Sequence, residues 1–450
     1  MKRSPLIILS ITLFIDLLGF GLILPLLPVY IEHYGGTPII GGFLTASFST
    51  MQFIFSPIWG RASDRYGRRP LILMSLIGSA ISYFFFGAAP TLAILFAARV
   101  ASGILTAASI PTAQAYIADV TPPEKRASGM AMLGAAFGLG FAFGPWIGGE
   151  LSKHPIWHIP PLAMPAYFAA LLALCNFVWA LFMLPESHTD RSATHHELGG
   201  LDLFRAVGRS LHHPTVGAQL TVFAFATFAF AAVESSFSWL VVLRFQRLLT
   251  QAAITAWQHT NSIPFAALAP ALQQRLIEKE AAGVTGSIFG IVGVTILFTQ
   301  GAVMGGLARR IGENRLVMFG SLLLTVSLVG TALAPTLLLI KILSMLIAVG
   351  SGVMNPSLSA MITHAAGPRD RGTLSGAQQG LGSLSRIVAP PINNYLVGIN
   401  TAYPFLSSTV LMGIAFLLSL RLHPIPKAPS PETIPSAPMA SEEEPAHTST

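Results

Sequence analysis

Five ionisable side chains interrupt long apolar stretches of this 450-residue sequence: Asp16, Arg99, Glu234, Lys341 and Arg386. Burying a charge in hydrocarbon is costly, so an ionisable residue inside an apolar segment indicates function. Carboxyl groups kept away from water can take up and release a proton. These residue types therefore favour reversible proton binding inside a membrane.

Glu234 and Asp16 are the two candidates for that proton. We expect Glu234, in the seventh apolar stretch, to be the principal coupling residue. The alternatives for Glu234 are that it forms a fixed ion pair or that it lies near the outer surface of the membrane. The alternative for Asp16, in the first stretch, is that it caps a helix or pairs with a loop arginine near the cytoplasmic end.

Arg386 and Lys341 differ in depth. Arg386 lies far inside its apolar stretch, so it needs an acidic partner or backbone carbonyls. Lys341 lies about two turns from the end of its stretch, and its long stem can reach the membrane surface.

The composition is that of an integral membrane protein, because 10% of residues are charged and 52% are hydrophobic. A helix needs about 20 residues to cross a bilayer. The fold is predicted to be all-α and multi-pass, with twelve spans. These predicted spans are 5–31, 38–60, 70–88, 91–118, 127–151, 166–184, 217–243, 284–306, 316–333, 336–362, 373–397 and 402–422.

The basic residues predict the orientation of the chain. Most of the 26 Lys and Arg residues fall in the even-numbered loops and the two tails. Basic residues are enriched in short cytoplasmic loops, so we expect a plasma-membrane protein with both termini in the cytoplasm. The same asymmetry accounts for the net charge of +7, which therefore does not indicate a nucleic-acid partner.

An internal repeat relates the two halves of the chain. Aligning the second half on the first places Gly67 on Gly312 and superimposes many further prolines, glycines and arginines. Duplication of a six-helix unit produces such a pattern. We therefore expect two pseudo-symmetric six-helix bundles, at residues 1–184 and 217–423.

Three segments fall outside the repeat. Residues 185–216 form a polar cytoplasmic linker, and about 246–283 form an extracytoplasmic insert in the second bundle. Residues 424–450 are rich in Pro, Ser and Glu and cannot bury a core, so we expect a disordered cytoplasmic tail. Adjacent histidines in the linker lack a Cys or carboxylate cluster, so no metal site is expected.

A polar, basic turn separates the second and third apolar stretches. It contains Gly60, Asp64, Arg65, Gly67, Arg68 and Arg69 in the pattern Gly-x-x-x-Asp-Arg-x-Gly-Arg-Arg. This pattern resembles the loop between helices two and three of major facilitator superfamily transporters. The resemblance implies a conformational switch, in which Asp64 caps a helix and pairs with an arginine across the bundle. Such contacts would stabilise the outward-open state.

The fifth apolar stretch carries small residues that end in Gly144-Pro145-x-x-Gly148-Gly149 and include Gly140. Small residues let another helix approach closely, while the proline disturbs the backbone hydrogen bonds. The ending resembles the motif that marks antiporters within the superfamily.

The sequence around Asp16 resembles the first helix of drug:proton antiporters, tetracycline-resistance exporters in particular. Arg99 matches the arginine of helix four in this family, which implies a role in proton transfer. The resemblance implies a twelve-helix drug-resistance antiporter that exports small amphipathic compounds in exchange for protons by alternating access, without a cofactor. The expected partners are a small-molecule substrate, protons and the lipid bilayer, and the protein is expected to be a monomer.

Two other functions stay open. The same fold supports carriers of a sugar, an organic acid or another metabolite, because fold does not dictate substrate. A non-transporting membrane receptor or assembly partner could use the insert to bind another protein. An enzyme is not expected, because the sequence has no phosphate-binding loop, metal cluster or nucleophile constellation.

Overall fold

The computed structural model describes residues 5–23, 26–122, 126–153, 159–160, 162–187, 208, 211, 216–260, 263–365 and 371–422. The predicted tail at 424–450 and most of the predicted linker at 185–216, including its adjacent histidines, lie outside these residues. Regular structure in the described residues is entirely helical. The all-α prediction is therefore confirmed.

The helices of the first half cover its six predicted spans, and the span 91–118 is divided between two helices, while residues 24–25 of the first span lie outside the described residues. They are α1 (Pro5–Ile23), α2 (Leu27–His33), α3 (Pro38–Tyr66), α4 (Arg68–Ala88), α5 (Leu92–Thr106), α6 (Ser109–Val120), α7 (Arg126–Lys153) and α8 (Ala163–Met183).

The second half repeats this arrangement with an added helix. Its helices are α9 (Gly217–Arg244), α10 (Gln246–Thr260), α11 (Pro270–Phe298), α12 (Met304–Ile311), α13 (Glu313–Leu333), α14 (Leu337–Ala365), α15 (Arg371–Ile399) and α16 (Tyr403–Ser419), with a π-helical turn at Thr299–Val303. Within the described part of the chain, nine helical spans are long and apolar enough to cross a membrane, and α16 is a shorter apolar helix.

A proline accompanies the divided span, since α6 begins at Ser109 and has Pro111 in its first turn. Proline lacks an N–H donor and is tolerated where a helix starts. The break before α6 leaves Ser109 at a helix start, where its side chain reaches the central cavity.

The eighth membrane helix begins earlier than the predicted span of 284–306. α11 starts at Pro270, a residue whose fixed φ suits the first helical position. Glu278 and Ala282 are buried against other helices, so the helix continues beyond the apolar stretch. Part of the expected insert at 246–283 is thus an extension of a bundle helix.

The two halves share an uncommon backbone conformation. Gly67, between α3 and α4, has a φ of 103°, and Gly312, between α12 and α13, has a φ of 88°. Glycine adopts these angles readily because it lacks a Cβ atom. Equivalent positions of the repeat therefore reverse the chain in the same way.

Two helix pairs join the halves, since α3 packs against α15 and α7 packs against α11. A Cβ added to Gly42 would lie 2.6 Å from the carbonyl oxygen of Pro390. A Cβ added to Gly286 would lie 2.5 Å from the carbonyl oxygen of Pro145. Glycine thus permits close backbone approach at both interfaces, and a cavity lies between them.

Candidate functional site

A cavity of about 140 Å³ lies between the two halves. Four of the five predicted intramembrane charges line it: Asp16 and Arg99 from the first half, and Glu234 and Arg386 from the second. Lys341 does not line it and is half-buried in the second turn of α14. The structure therefore brings together both carboxylates and two of the three basic residues.

Asp16 is held by hydrogen bonds from two serines. Ser79 Oγ of α4 donates to Asp16 Oδ1 at 3.0 Å, and Ser109 Oγ of α6 donates to Asp16 Oδ2 at 2.9 Å. One donor for each oxygen suits a carboxylate. Asp16 lies well inside α1 and forms no ion pair with a described residue, which disfavours a helix cap or a loop arginine as its role.

Arg99 of α5 is buried among aromatic rings, with a relative exposure of 3%. Its guanidinium carbon lies 5.2 Å from the ring centroid of Phe48 and 5.7 Å from that of Phe86. Its Nε has no hydrogen-bond partner among the described residues. Cation–π contacts therefore hold this charge in place, without a carboxylate in direct contact.

Glu234 of α9 lines the central cavity and also a second cavity of about 270 Å³. Its carboxylate is attracted by the charges of Arg386 and Arg99. In the part of the chain that the structure describes, it forms no ion pair. A fixed ion pair is therefore disfavoured, and the carboxylate can exchange a proton or a cation.

The sequence does not identify the partner of Arg386. Its charge acts chiefly on groups that line the central cavity. Its side chain on α15 is exposed to that cavity. Its guanidinium and the oppositely charged carboxylate of Glu234 line the same cavity. Glu234 is therefore its long-range electrostatic partner, although the two groups are not in contact.

Arg68 is the centre of the polar turn between α3 and α4. Its Nη1 lies 2.5 Å from Asp64 Oδ1, and its Nε lies 3.2 Å from Asp119 Oδ2 of α6. Its Nη1 also donates to Ser63 Oγ at 2.6 Å. Asp64 thus pairs within its own turn rather than across the bundle as expected, because the reversal at Gly67 brings Arg68 back over the end of α3.

Glu186, which follows α8, connects the turn to the end of the first bundle. It accepts hydrogen bonds from the backbone N–H of Arg68 at 2.9 Å and of Arg69 at 3.2 Å. Arg69 Nη2 donates to the carbonyl oxygen of Leu181 at 2.6 Å. These bonds hold the turn against α8.

Gly60 and Arg65 lie at the two edges of this network. Gly60 is buried, and its carbonyl oxygen accepts a hydrogen bond from Ser63 Oγ at 2.7 Å. Arg65 is exposed, with its guanidinium carbon 5.5 Å from the ring centroid of Tyr66. The side chain of Arg65 is therefore accessible to another part of the molecule.

The small residues of α7 contact two different helices. A Cβ added to Gly140 or Gly144 would lie 2.8 Å from an atom of α1, and one added to Gly148 would overlap the backbone of α1. Gly149 and the carbonyl oxygen of Pro145 face α11 instead. These small residues therefore join α7 both to its own half and to the other half.

Sequence reasoning missed several polar contacts. Asp119 and Glu186 were not singled out, although each acidic side chain lies just beyond a predicted apolar span. His33 Nδ1 lies 3.3 Å from Glu278 Oε2, which links α2 to α11 across the two halves. The second cavity has no local signal, because its lining residues are widely separated in the sequence.

Two helical bundles around a cavity lined by ionisable side chains are the architecture of a secondary transporter. The fold and the cavity thus define a membrane transport protein. A model of the Major Facilitator Superfamily matches residues 9–258 and 256–447. The chain belongs to this superfamily, whose members are transporters rather than enzymes, and the predicted family is confirmed.

Similar proteins include two that are named for drug resistance. The chain is 28% identical over 427 residues to Multidrug resistance protein 2 of Bacillus subtilis (strain 168), covering 93% of this chain and 95% of that protein. It is 30% identical over 428 residues to the class C Tetracycline resistance protein of Escherichia coli, covering 94% and 95%.

Solved structures resemble the chain along nearly its whole length. The human organic anion transporter MFSD10 (TETRAN) is 26% identical with a TM-score of 0.64, covering 93% of this chain and 99% of that chain. An inward-facing, unoccupied bacterial homolog of the human lysosomal transporter Spinster is 15% identical with a TM-score of 0.67, covering 93% and 97%. The second likeness concerns the fold alone.

Proposed function

We propose that this transporter exports small amphipathic compounds, in multidrug or tetracycline-like efflux, in exchange for protons. The observation that carries the proposal is Glu234, a half-buried carboxylate on the cavity wall that forms no ion pair with a described residue. A carboxyl group in such surroundings can bind and release a proton during transport. Asp16 supplies a second carboxylate in the same cavity.

Protonation of Glu234 alters the forces between the two halves. The deprotonated carboxylate is attracted by Arg386 of its own half and by Arg99 of the other half. A bound proton removes the negative charge and with it this attraction. Proton binding therefore changes the relative energies of the two transport conformations, and substrate release accompanies it.

Alternating access is the second part of the proposal. At one end of the molecule, the halves meet through the contact of His33 Nδ1 with Glu278 Oε2 and the contact of Gly42 with Pro390. With both termini in the cytoplasm, this end is extracytoplasmic and the conformation is inward-facing. The exposed Arg65 then contacts the second half when the cytoplasmic side closes, and the polar turn stabilises the outward-open state.

The proposal includes a plasma-membrane location with both termini in the cytoplasm, and action as a monomer. The orientation is supported by the concentration of Lys and Arg in the even-numbered loops. Reporter domains fused within 185–216 or 424–450 are expected to be active in the cytoplasm. Activity of either fusion on the opposite side would contradict the orientation.

Transport of ethidium, a fluorescent amphipathic cation, into everted membrane vesicles tests the function. We expect transport by the unaltered protein only when a pH gradient is imposed. Glu234→Gln is expected to abolish gradient-driven transport because a neutral amide cannot exchange a proton. Asp16→Asn is expected to reduce it, since Asp16 lines the same cavity.

Glu313→Gln is the matched control, because it makes the same chemical change outside both cavities. Transport that is independent of the gradient, or that survives in both Glu234→Gln and Asp16→Asn, would contradict proton exchange. Absence of transport for several chemically distinct drugs would favour a metabolite carrier or a non-transporting receptor.

An organic-acid carrier is the second candidate. Arg99 and Arg386 line the central cavity and could bind a carboxylate. The human structure with 26% identity is named an organic anion transporter. Gradient-dependent uptake of radiolabelled 4-phenylbenzoate, without uptake of ethidium, would favour this candidate.

A further inference from the structure

A second cavity, of about 270 Å³, is lined chiefly by α9, α11 and α14 of the second half, with Gly138 of α7 contributed by the first half. A cavity of about 150 Å³ holds one benzene molecule, so this one has room for about two aromatic rings. Its lining is mainly apolar and includes Phe230, Phe237 and Phe289. The rings of Phe237 and Phe289 pack edge to face, with centroids 6.1 Å apart. The cavity is therefore suited to aromatic groups.

The polar groups of this cavity favour a positively charged ligand. Glu234 supplies a carboxylate, and the Oδ1 of Asn355 is buried without a hydrogen-bond partner among the described residues. None of the described lining residues is Lys, Arg or His. An anion in this cavity would meet the charge of Glu234, whereas the basic groups that attract anions, Arg99 and Arg386, line the central cavity instead.

The second cavity shares a wall with the central cavity. Phe230 and Glu234 line both of them and lie one turn apart on α9. Residues four apart project from the same face of a helix. A ligand whose charge lies beside Glu234 can therefore extend its rings into the second cavity while the rest of the molecule occupies the central one.

We propose that the second cavity is a subsite for the aromatic end of a substrate with a single positive charge. The charge lies beside Glu234, and the rings lie among the phenylalanines, whose π faces attract cations. Once Glu234 is occupied, the central cavity retains two cations, Arg99 and Arg386, against the single carboxylate of Asp16, which disfavours a second positive group there. This inference rests on the proposed function, because it names the substrate class that Glu234 exchanges for a proton.

Equilibrium binding of tritiated 1-methyl-4-phenylpyridinium to the purified full-length protein tests the subsite without a gradient. Two competitors have the same two-ring frame: uncharged biphenyl-4-methanol and anionic 4-phenylbenzoate. The uncharged compound is expected to compete about tenfold more weakly than the unlabelled cation, since it lacks the cation–π and carboxylate attraction. The anion is expected not to compete.

Two substitutions alter the cavity in different ways. Gly138 lines it, and no described atom lies within 4 Å of a Cβ added there, so Gly138→Leu fills the space without overlap at Cβ. Phe289→Leu keeps an apolar side chain and removes the ring. Each is expected to weaken cation binding about tenfold. Gly413→Leu is the matched control, because a Cβ there also meets no described atom and Gly413 lines neither cavity.

Failure of the unaltered protein to bind the cation would overturn the subsite. So would unchanged affinity in both variants, or competition by 4-phenylbenzoate equal to that by biphenyl-4-methanol. A thermal unfolding midpoint equal to that of the control shows that a variant is folded. If only one of the two variants is folded, its affinity alone decides the result.

The binding experiment tests the subsite, the vesicle experiment tests the proposed function, and either hypothesis can be contradicted without the other. Proton-driven ethidium transport together with unchanged cation binding in both variants overturns the subsite and leaves the proposed function intact. Weakened cation binding in the variants, without proton-driven transport by the unaltered protein, supports the subsite and removes the proposed function.

Discussion

The turns that close the equivalent ends of the two halves have the same backbone but opposite charges. Each reverses the chain at a glycine with positive φ. In the first turn Asp64 precedes this glycine and Arg68 follows it, whereas Arg309 and Glu313 occupy the equivalent positions of the second turn. Glycine dictates the backbone in both halves, while the electrostatics have diverged.

Both turns are also attached to the end of their own half by side chains at equivalent positions, the first turn to α8 and the second to Leu422, which follows α16. Arg69 donates to the carbonyl oxygen of Leu181 at 2.6 Å, and Asn314 donates to the carbonyl oxygen of Leu422 at 2.7 Å. The first turn adds the buried Arg68, which bridges two carboxylates. This difference supports assigning the conformational switch to the first half.

The cavity carboxylates differ in a complementary way. Both oxygens of Asp16, in the first half, accept hydrogen bonds from serines. Glu234, in the second half, faces two cavities and forms no ion pair with the residues that the structure describes. The carboxylate of the first half is thus held by hydrogen bonds, whereas that of the second half faces two cavities. In the proposed mechanism, this difference assigns the proton to the second half.

The largest effect is expected where α7 meets α1. Gly148→Val would drive its side chain into the backbone at Leu22, and we expect it to lower the free energy of unfolding by about 3 kcal/mol or more. The equivalent residue of the second half, Asn393, is buried; it donates to the carbonyl oxygen of Ala389 and accepts a hydrogen bond from Ser407 Oγ. Asn393→Val is expected to cost only about 2 kcal/mol through the two lost bonds.

Thermal unfolding of the purified variants checks this contrast between the halves. Gly413→Val is the control, since a Cβ there meets no described atom. A Gly148→Val protein as stable as the control would show that α7 and α1 do not depend on this close approach.

A smaller loss is expected from the polar turns. Arg68→Ala leaves Asp64 and Asp119 without their shared cation, and we expect a loss of about 2 kcal/mol because all three groups are at least partly buried. Arg310→Ala, in the turn of the second half, removes an exposed side chain and is expected to change stability by less than about 0.5 kcal/mol. Chemical denaturation of the two variants measures their stability. Equal losses of stability would contradict the conclusion that the stabilising ion pairs belong to the turn of the first half.

The smallest effect concerns Tyr34, between α2 and α3. Burial, and secondarily the nearby Tyr167, raise the pKa of Tyr34 above its ordinary value of 10.0. The folded protein therefore keeps this proton to higher pH than the unfolded chain does. The resulting stabilisation is complete below pH 10.0 and is lost as pH rises through the raised pKa.

Tyr34→Phe removes this contribution and the hydrogen bond from Tyr34 to the carbonyl oxygen of Ala89. We expect slightly lower stability near neutral pH and a smaller decline in alkaline solution, measured as the unfolding midpoint across that range. Tyr395→Phe, at an exposed tyrosine of the second half, is expected to leave the stability near neutral pH and the alkaline decline unchanged. An unaltered alkaline decline in Tyr34→Phe would contradict the contribution of Tyr34.

Hydropathy was sufficient to predict most of the helices, because they follow from local apolar composition. The family was predicted from the resemblance of two motifs, the turn from Gly60 to Arg69 and the ending from Gly144 to Gly149. The cost of intramembrane charge singled out Asp16, Arg99, Glu234 and Arg386, and the structure places all four around one cavity. Their roles in proton coupling stay predictions. Lys341 lies elsewhere because its position near a helix end does not require a buried partner.

Other features depend on packing that no local pattern encodes. The partner of Asp64 depends on how the chain folds back after Gly67. The start of α11 at Pro270 depends on helices that cover Glu278. The second cavity forms where α9, α11 and α14 diverge, and Asn355 has no neighbour in sequence that indicates a binding site.

The central claim is that the second half carries the exchangeable proton at Glu234, while Asp16 of the first half stays fixed. Its most direct test is the number of protons released when ethidium binds to the purified protein in weakly buffered solution near neutral pH. The account predicts release from the unaltered protein and from Asp16→Asn, and none from Glu234→Gln. Release from Glu234→Gln, with none from Asp16→Asn, would contradict it.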